Sequence, residues 1–186
     1  YLMRREAFNS LTNLIGEKKI KSLVKVEEIP KKIRADDLPG LTVKNGKLWK
    51  DGKPYQGIGI NYRDLIKPVI YQTSEAEDRL KALKFLAEKG VPFIRFWSFP
   101  FWPVNWRLYF EDKEVYFNRF DRIIETAEEC GIGLIPSMFW TSTMVGLKFN
   151  EYKQAWVDPE SKTRQFMEQY IKDFVSRYVD STAIWG

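Results

Sequence analysis

The fold is decided by the stretch Val91-Pro92-Phe93-Ile94-Arg95-Phe96-Trp97, a short apolar run with one charge near its centre. Aromatic and β-branched residues favour strands, and a run that is apolar on both faces is typical of a strand buried in a parallel sheet. Before it, residues 75–89 carry apolar side chains at helical spacing, with a Ser74-x-x-Glu77 capping box and Gly90 as terminator. The sequence therefore predicts a helix that leads into a buried strand.

The same alternation of strand and helix continues along the chain. A second helix is predicted from about Asn118 to Gly131, and a third begins with Asp158 as its cap and Pro159 in its first turn. Three further short apolar segments predict strands. They cover residues 56–61, 132–139 and 182–185.

Strands that alternate with helices predict an α/β fold with parallel strands and right-handed crossovers. A doubly wound sheet and an eight-stranded barrel both fit that pattern, and the connections distinguish them. The strand-to-helix connections cover residues 61–74, 98–117 and 140–157, whereas roughly 2 to 6 residues are usual. Barrel enzymes build their sites from insertions at these strand ends. We therefore predict a TIM (β/α)8 barrel, with about its first four strands and three helices in this chain.

Composition limits the chemistry. The chain has no His, and Cys130 is its only Cys, which excludes His-based triads, Cys/His zinc sites and intrachain disulfides. The Gly57-x-Gly59 pair suggests a dinucleotide motif, but Tyr62 stands where the third glycine belongs. We predict no cofactor and no metal, and chemistry that uses carboxylates, Arg, Tyr or hydroxyl groups.

The net charge of +5 lies entirely within the first 34 residues, and the remainder is balanced. A nucleic-acid-binding protein would carry a basic face on its folded part, so we predict no nucleic-acid partner. We interpret residues 1–40 as a basic N-terminal extension and residues 41–186 as half of a barrel. This half begins with a β-hairpin, because Asn45-Gly46 and Asp51-Gly52 are hairpin turn signals. No apolar run is long enough to predict a membrane span.

Arg95 is a charge in an otherwise apolar strand. Burying a guanidinium without a partner costs several kcal/mol, so Arg95 should meet a carboxylate or a substrate. A strand-end Arg that pairs with a nearby acid only for packing is the alternative. Asn61 and Tyr62 form a similar polar pair at the end of the first predicted strand, where a simple turn is the alternative.

The long connections are rich in aromatic residues, whose faces suit the C–H faces of sugar rings. Trp97 and Trp140 follow the second and third predicted strands and should face a barrel mouth. Trp102 and Trp106 belong to the second connection. A satellite core beneath the connections is the alternative for each of these aromatic residues.

The order of five short segments along the chain is also informative. They are Val43-x-Asn45-Gly46-x-Leu48-x-x-Asp51-Gly52-Lys53-Pro54-Tyr55, Gly57-Ile58-Gly59-Ile60-Asn61-Tyr62, Ile94-Arg95-Phe96-Trp97, Gly133-Leu134-Ile135-Pro136 and Ala183-Ile184-Trp185-Gly186. In order and spacing, over residues 41–186, they resemble the opening half of clan A glycoside hydrolases, and in particular family 5 with its cellulases and mannanases.

The resemblance implies a hydrolase, a retaining endoglycosidase that degrades β-linked polysaccharides on a (β/α)8 barrel. Its acid/base Glu would follow strand four and its nucleophilic Glu strand seven, both beyond Gly186, so this chain alone should be inactive. The family's strand-two Arg maps onto Arg95, which would hydrogen-bond the nucleophile and keep it ionised. Family members usually carry a His near the end of strand three, where this chain has Phe139-Trp140-Thr141.

On this interpretation Asn61, Tyr62, Trp97 and Trp140 line the subsites near the scissile bond, and Trp102 or Trp106 extends the cleft. The partners are an oligo- or polysaccharide and either the remaining half of the barrel or another copy of the chain, because four strands leave unpaired edges. The expected location is extracellular or periplasmic.

Two other functions fit the pattern. One is a non-catalytic carbohydrate-binding barrel with the same aromatic cleft. The other is an unrelated barrel enzyme that acts through metal-bound water, which is disfavoured because no Asp or Glu stands at the ends of the first three predicted strands.

Overall fold

A computed structural model describes residues 40–100, 103–140 and 142–185 of the chain. The predicted N-terminal extension, apart from Gly40, and Trp102 lie outside the described residues. The elements in chain order are β1 (Thr42–Lys44), β2 (Lys47–Lys50), β3 (Lys53–Pro54), β4 (Ile60–Asn61), α1 (Ile66–Tyr71), α2 (Ala76–Glu88), β5 (Phe93–Trp97), a 3-10 turn (Pro103–Trp106), α3 (Arg107–Glu111), α4 (Lys113–Cys130), β6 (Gly133–Ser137), α5 (Ser142–Lys148), a 3-10 turn (Ala155–Val157) and α6 (Lys162–Tyr178).

The first three strands form a small antiparallel sheet in the order β1-β2-β3. Both predicted turns are present. The backbone φ angles are positive at Asn45 (52°) and Gly46 (72°), and again at Asp51 (51°) and Gly52 (71°). Positive φ at both central residues is the geometry that matches the twist of a two-residue hairpin, and Asn, Asp and Gly tolerate it best.

The second sheet is parallel, in the order β4-β5-β6. A parallel bridge from Leu134 to Ile184 extends it by one position. Strands that are successive in the chain are therefore neighbours in the sheet, and helices connect them. The predicted α/β fold with parallel strands is confirmed for the described residues.

The first and fourth predicted strands are shorter than expected. Regular pairing of the first strand begins at Ile60 instead of residue 56, and the segment 182–185 makes a single bridge. Both segments lie at the edges of the sheet, where a strand has a ladder partner on one side only. The sequence pattern shows that a segment is apolar, but it does not show on how many sides that strand is paired.

All three predicted helices exist, and Gly90 and Gly131 follow the first two as predicted, but each helix begins at a different residue from the predicted one. The helix α2 begins one residue after Glu75, without a side-chain cap from Ser74. The helix α4 begins at Lys113, ahead of the predicted Asn118, because the Asp112 carboxylate accepts a hydrogen bond from the third backbone amide of the helix.

The last helix starts later than predicted. Ser161 caps it by accepting a hydrogen bond from the Arg164 backbone N–H at 3.0 Å, so Asp158 and Pro159 precede the helix. The long strand-to-helix connections also contain helices of their own, namely α1, α3 and α5. Short helices of this kind satisfy backbone groups that a buried loop would leave unpaired.

The core lies between the parallel sheet and its helices. Ile94 and Phe96 of β5 are buried beneath them, and much of the second connection joins this core. The rings of Phe99 and Tyr170 pack edge to face with their centroids 4.6 Å apart, and the hydroxyls of Tyr116 and Tyr170 both donate to the Ser98 carbonyl. Burial raises the pKa of Tyr116, so its phenol stays neutral. Phe99 and Tyr116, from the second predicted connection, therefore belong to the main core and neither to a sugar cleft nor to a separate satellite core.

No helix in the described ranges is both long enough and apolar enough to cross a membrane.

Candidate functional site

A pocket of about 470 Å³ opens at the carboxyl ends of the parallel strands. In α/β proteins this edge is the usual place for ligands, because the variable connections converge on it. The pocket brings together five of the seven residues that the sequence nominated. Its lining residues are Asn61, Tyr62, Arg63, Asp64, Arg79, Arg95, Phe96, Trp97, Ser137 and Trp140.

Strand register explains why these residues meet. Asn61 lies opposite Arg95 in the β4–β5 ladder, and Trp97 lies opposite Ser137 in the β5–β6 ladder. Because alternate residues of a strand share a face, Arg95 and Trp97 point to the side opposite the buried Ile94. The charge that looked anomalous in an apolar strand therefore belongs to its pocket face.

Arg95 is held by two contacts. Its Nε donates a hydrogen bond to the Ser137 Oγ at 2.7 Å, and its guanidinium carbon lies 4.8 Å from the ring centroid of Trp140. Among the residues that the structure describes, no carboxylate forms an ion pair with Arg95. Arg95 is also exposed, so the expected cost of burying an unpaired guanidinium does not arise among these residues, and the alternative of a strand-end Arg paired with a neighbouring acid is not formed either.

Two indole rings form the aromatic part of the pocket. The ring centroids of Trp97 and Trp140 are 6.2 Å apart, and the ring planes meet at 42°. Trp140 is 55% exposed, so a large part of its ring is accessible. An exposed indole beside polar groups offers an apolar face for stacking and hydrogen-bonding groups at its margin.

Tyr62 joins the strand end to the neighbouring helix. Its backbone N–H donates to the Arg95 carbonyl at 2.8 Å, and its hydroxyl donates to the Arg79 carbonyl at 3.2 Å. Burial raises the pKa of Tyr62, which keeps the phenol neutral at physiological pH. Tyr62 is therefore suited to hydrogen bonding and not to action as a phenolate nucleophile.

The charged groups of the pocket are mostly cationic. Arg79 pairs with Glu75 at 2.8 Å, and the hydrogen bond to Glu75 raises the pKa of Arg79. The Arg63 Nε lies 4.0 Å from the Asp64 Oδ1, and the guanidinium carbon of Arg63 is 5.6 Å from the ring centroid of Trp97. Asp64 is the one carboxylate that lines the pocket in the described part of the chain.

Five lining residues were not nominated from the sequence, namely Arg63, Asp64, Arg79, Phe96 and Ser137. Arg63 and Asp64 directly follow the nominated Asn61-Tyr62 pair, so their position at a strand end was a usable signal. The positions of Ser137 and Arg79 in the sequence did not predict that they line the pocket, because strand register and helix packing bring them there.

The expectation for Trp106 is wrong in this structure. Trp106 is 2% exposed, and its ring stacks on Phe166 with centroids 6.0 Å apart. Its indole N–H donates to the Pro100 carbonyl. It is therefore part of the core and does not line the pocket. The described ranges also contain no group of three Cys, Asp or Glu side chains placed to hold a metal ion.

Comparison with known proteins adds one finding. No family model matches the chain. No curated protein matches it by sequence. Among solved structures, it is similar to a glycoside hydrolase family 5 mannosidase from Rhizomucor miehei, with a TM-score of 0.50 and 14% identity over 74% of this chain and 42% of that one. Its structural neighbours are glycoside hydrolases.

A second neighbour is a β-glucanase from Saccharophagus degradans in complex with cellotetraose, with a TM-score of 0.39 and 26% identity over 60% of this chain and 32% of that one. This chain spans about two fifths of the length of the Rhizomucor miehei mannosidase. At this level of identity the likeness to the mannosidase concerns the fold. The described residues form a partial α/β structure of the kind found in TIM-barrel glycosidases.

Proposed function

We propose that this chain is part of a retaining glycoside hydrolase that cleaves β-linked polysaccharides internally, in the manner of cellulases and mannanases. The observation that carries the proposal is the pocket at the strand ends, where two indole rings adjoin a guanidinium that no described carboxylate neutralises. Sugar rings need apolar platforms and polar edges in close proximity, and this pocket provides both.

Each pocket residue has a role in the proposal. Trp140 and Trp97 stack against sugar rings, and Asn61 and Tyr62 hydrogen-bond their hydroxyls. Arg95 is a positioning residue, which donates to the nucleophilic carboxylate and keeps it ionised through its positive charge. The hydrogen bond from Arg95 to Ser137 and the stacking of Arg95 on Trp140 limit the rotamers from which it can do so.

A retaining mechanism needs two carboxyl groups about 5 Å apart, one to attack the anomeric carbon and one to protonate the leaving oxygen. In the described part of the pocket, Asp64 is the only carboxylate. We propose that the acid/base and the nucleophile are Glu residues beyond Gly186, and that the remaining strands close a barrel around the pocket. Action on an external polysaccharide would place the enzyme in the extracellular space or the periplasm.

The experiment is a titration of the purified 186-residue chain with cellohexaose and mannohexaose, followed by tryptophan fluorescence and calorimetry. Maltohexaose, an α-linked glucan of the same length, is the control ligand. We expect saturable binding of at least one β-linked hexasaccharide, no binding of maltohexaose and no release of shorter sugars. Failure of both β-linked sugars to bind would refute the proposal.

A non-catalytic carbohydrate-binding barrel is the second candidate, and the lone Asp64 in the described pocket favours it. The two candidates differ in the residues expected after Gly186. An Asn-Glu within about six residues of Gly186 would support the enzyme, since the acid/base of this mechanism must enter the same pocket. A continuation without acidic residues at the ends of its strands would support the binding protein.

A further inference from the structure

Among the residues that the structure describes, three guanidinium groups, those of Arg63, Arg79 and Arg95, line the pocket, against a single carboxylate, that of Asp64. Glu75 and the proposed catalytic nucleophile account for two of these cations, and a neutral cellulose or mannan chain, which hydrogen bonds and stacking are sufficient to bind, does not need the third. Guanidinium groups in a concave, partly desolvated site attract anions, and their planar fork of N–H donors fits carboxylate and sulfate oxygens. The charge balance of the pocket therefore bears on the substrate.

Two of the three cations have other partners. Arg79 pairs with Glu75 at 2.8 Å, and the proposed function assigns Arg95 to the catalytic nucleophile. Arg63 differs from both. Its nearest described carboxylate, Asp64, is 4.0 Å away, and the two side chains are 68% and 64% exposed. An ion pair so long and so open to water contributes little, so Arg63 keeps most of its capacity to bind an anion.

The position of Arg63 is also informative. Its guanidinium carbon lies 5.6 Å from the ring centroid of Trp97, one of the two proposed sugar platforms. Because Arg63 lies over the Trp97 ring, a sugar stacked on the neighbouring Trp140 would bring its substituents towards the N–H donors of Arg63. Stacking on the indole restricts the long side chain of Arg63, which lowers the entropic cost of holding a ligand group.

We propose that the pocket prefers β-linked glycans that carry an anionic substituent, a carboxylate or a sulfate, and that Arg63 is the residue that selects it. This inference rests on the proposed function, because it assigns a substrate class to the same pocket. Arg63 acts in binding and needs no part in bond cleavage.

The test uses the full 186-residue chain and three tetrasaccharides with β-1,4 linkages: cellotetraose, its 6-O-sulfated derivative and the tetramer of glucuronic acid. Arg63→Gln is compared with Lys67→Gln, which removes the same charge from an exposed residue of α1 that does not line the pocket. Melting temperatures verify that both variants fold as the parent chain does.

At low salt we expect up to about fivefold tighter binding of one or both anionic tetrasaccharides than of cellotetraose, the range for one exposed charge pair. The preference should fall as salt rises, because the Debye length shortens from about 10 Å at 0.1 M to about 3 Å at 1 M ionic strength. It should disappear in Arg63→Gln and persist in Lys67→Gln. Comparing the sulfated and uronic tetramers identifies the anion.

Equal affinity for all three tetrasaccharides would overturn this inference and leave the proposed function intact. No binding of any tetrasaccharide would count against the proposed function itself. A preference that survives Arg63→Gln, or that Lys67→Gln abolishes to the same extent, would attribute the effect to overall charge and overturn the role of Arg63.

Discussion

Replacing Trp140 by Ala should weaken glycan binding much more than it weakens the fold. Trp140 lines the pocket and is 55% exposed, so the free protein gains little from its burial. A fully exposed indole offers on the order of 250 Å², so roughly 130 Å² of Trp140 is accessible and a sugar ring on one face would cover about 65 Å².

At about 25 cal/mol per Å², that area corresponds to about 1.6 kcal/mol, or roughly a 15-fold loss of affinity. Trp140→Phe should recover a part of the loss, because a smaller ring covers less of the sugar. Trp156→Ala is the matched control, since Trp156 is 40% exposed and does not line the pocket.

Calorimetric titration of each variant with cellohexaose or mannohexaose, whichever the parent chain binds, measures the affinity. Urea unfolding of the same samples measures stability, which should change by less than about 1 kcal/mol for an exposed side chain. If Trp140→Ala and Trp156→Ala lose affinity equally, or if neither does, then the assignment of Trp140 as a sugar platform is wrong.

Three further predictions concern the fold that supports the pocket. In Gly133→Ala the new Cβ would overlap the indole of Trp185, so urea unfolding should show a loss of roughly 2 kcal/mol, and Trp185→Leu in the same chain should restore part of it. Asp112→Ala removes the cap of α4 and should cost about 1 kcal/mol, whereas Asp112→Asn, whose amide oxygen can still accept the hydrogen bond, should cost less; equal losses would show that this hydrogen bond does not account for the stabilisation. Hydrogen bonds from Thr163 lower the pKa of Glu151. The ionised Glu151 therefore stabilises the fold fully above its ordinary unfolded pKa of about 4.3, and this stabilisation is lost as the pH falls through the lower pKa of the folded state. When the free energy of unfolding is measured against pH, Glu151→Gln should lose less stability in acid than the parent chain does.

The local features of the fold were predictable from the sequence, because they depend on residues close together in the chain. The Asn45-Gly46 and Asp51-Gly52 turns follow from the tolerance of these residues for positive φ. The end of α4 at Gly131, in the left-handed conformation, follows for the same reason. Apolar periodicity sufficed to predict that helices and strands alternate.

The exact caps were less predictable, because several candidates compete within a few residues. Asp158 and Ser161 are both good capping residues, and in the structure Ser161 caps the last helix, while its hydroxyl donates to the Ala155 carbonyl in the preceding 3-10 turn. Burial was the least predictable property. Trp106 and Trp140 are the same residue type in similar long connections, yet one is 2% and the other 55% exposed.

The sequence by itself determined the α/β alternation, the hairpin turns and the presence of a charge, Arg95, in an apolar strand. Only the tertiary structure decided that Arg95 meets Ser137 and Trp140 and that Arg63 lies over Trp97. The reason is physical: hydrogen-bonding and conformational preferences act along a few residues, whereas strand register and helix packing bring together side chains more than 30 residues apart, and no local pattern encodes those pairings.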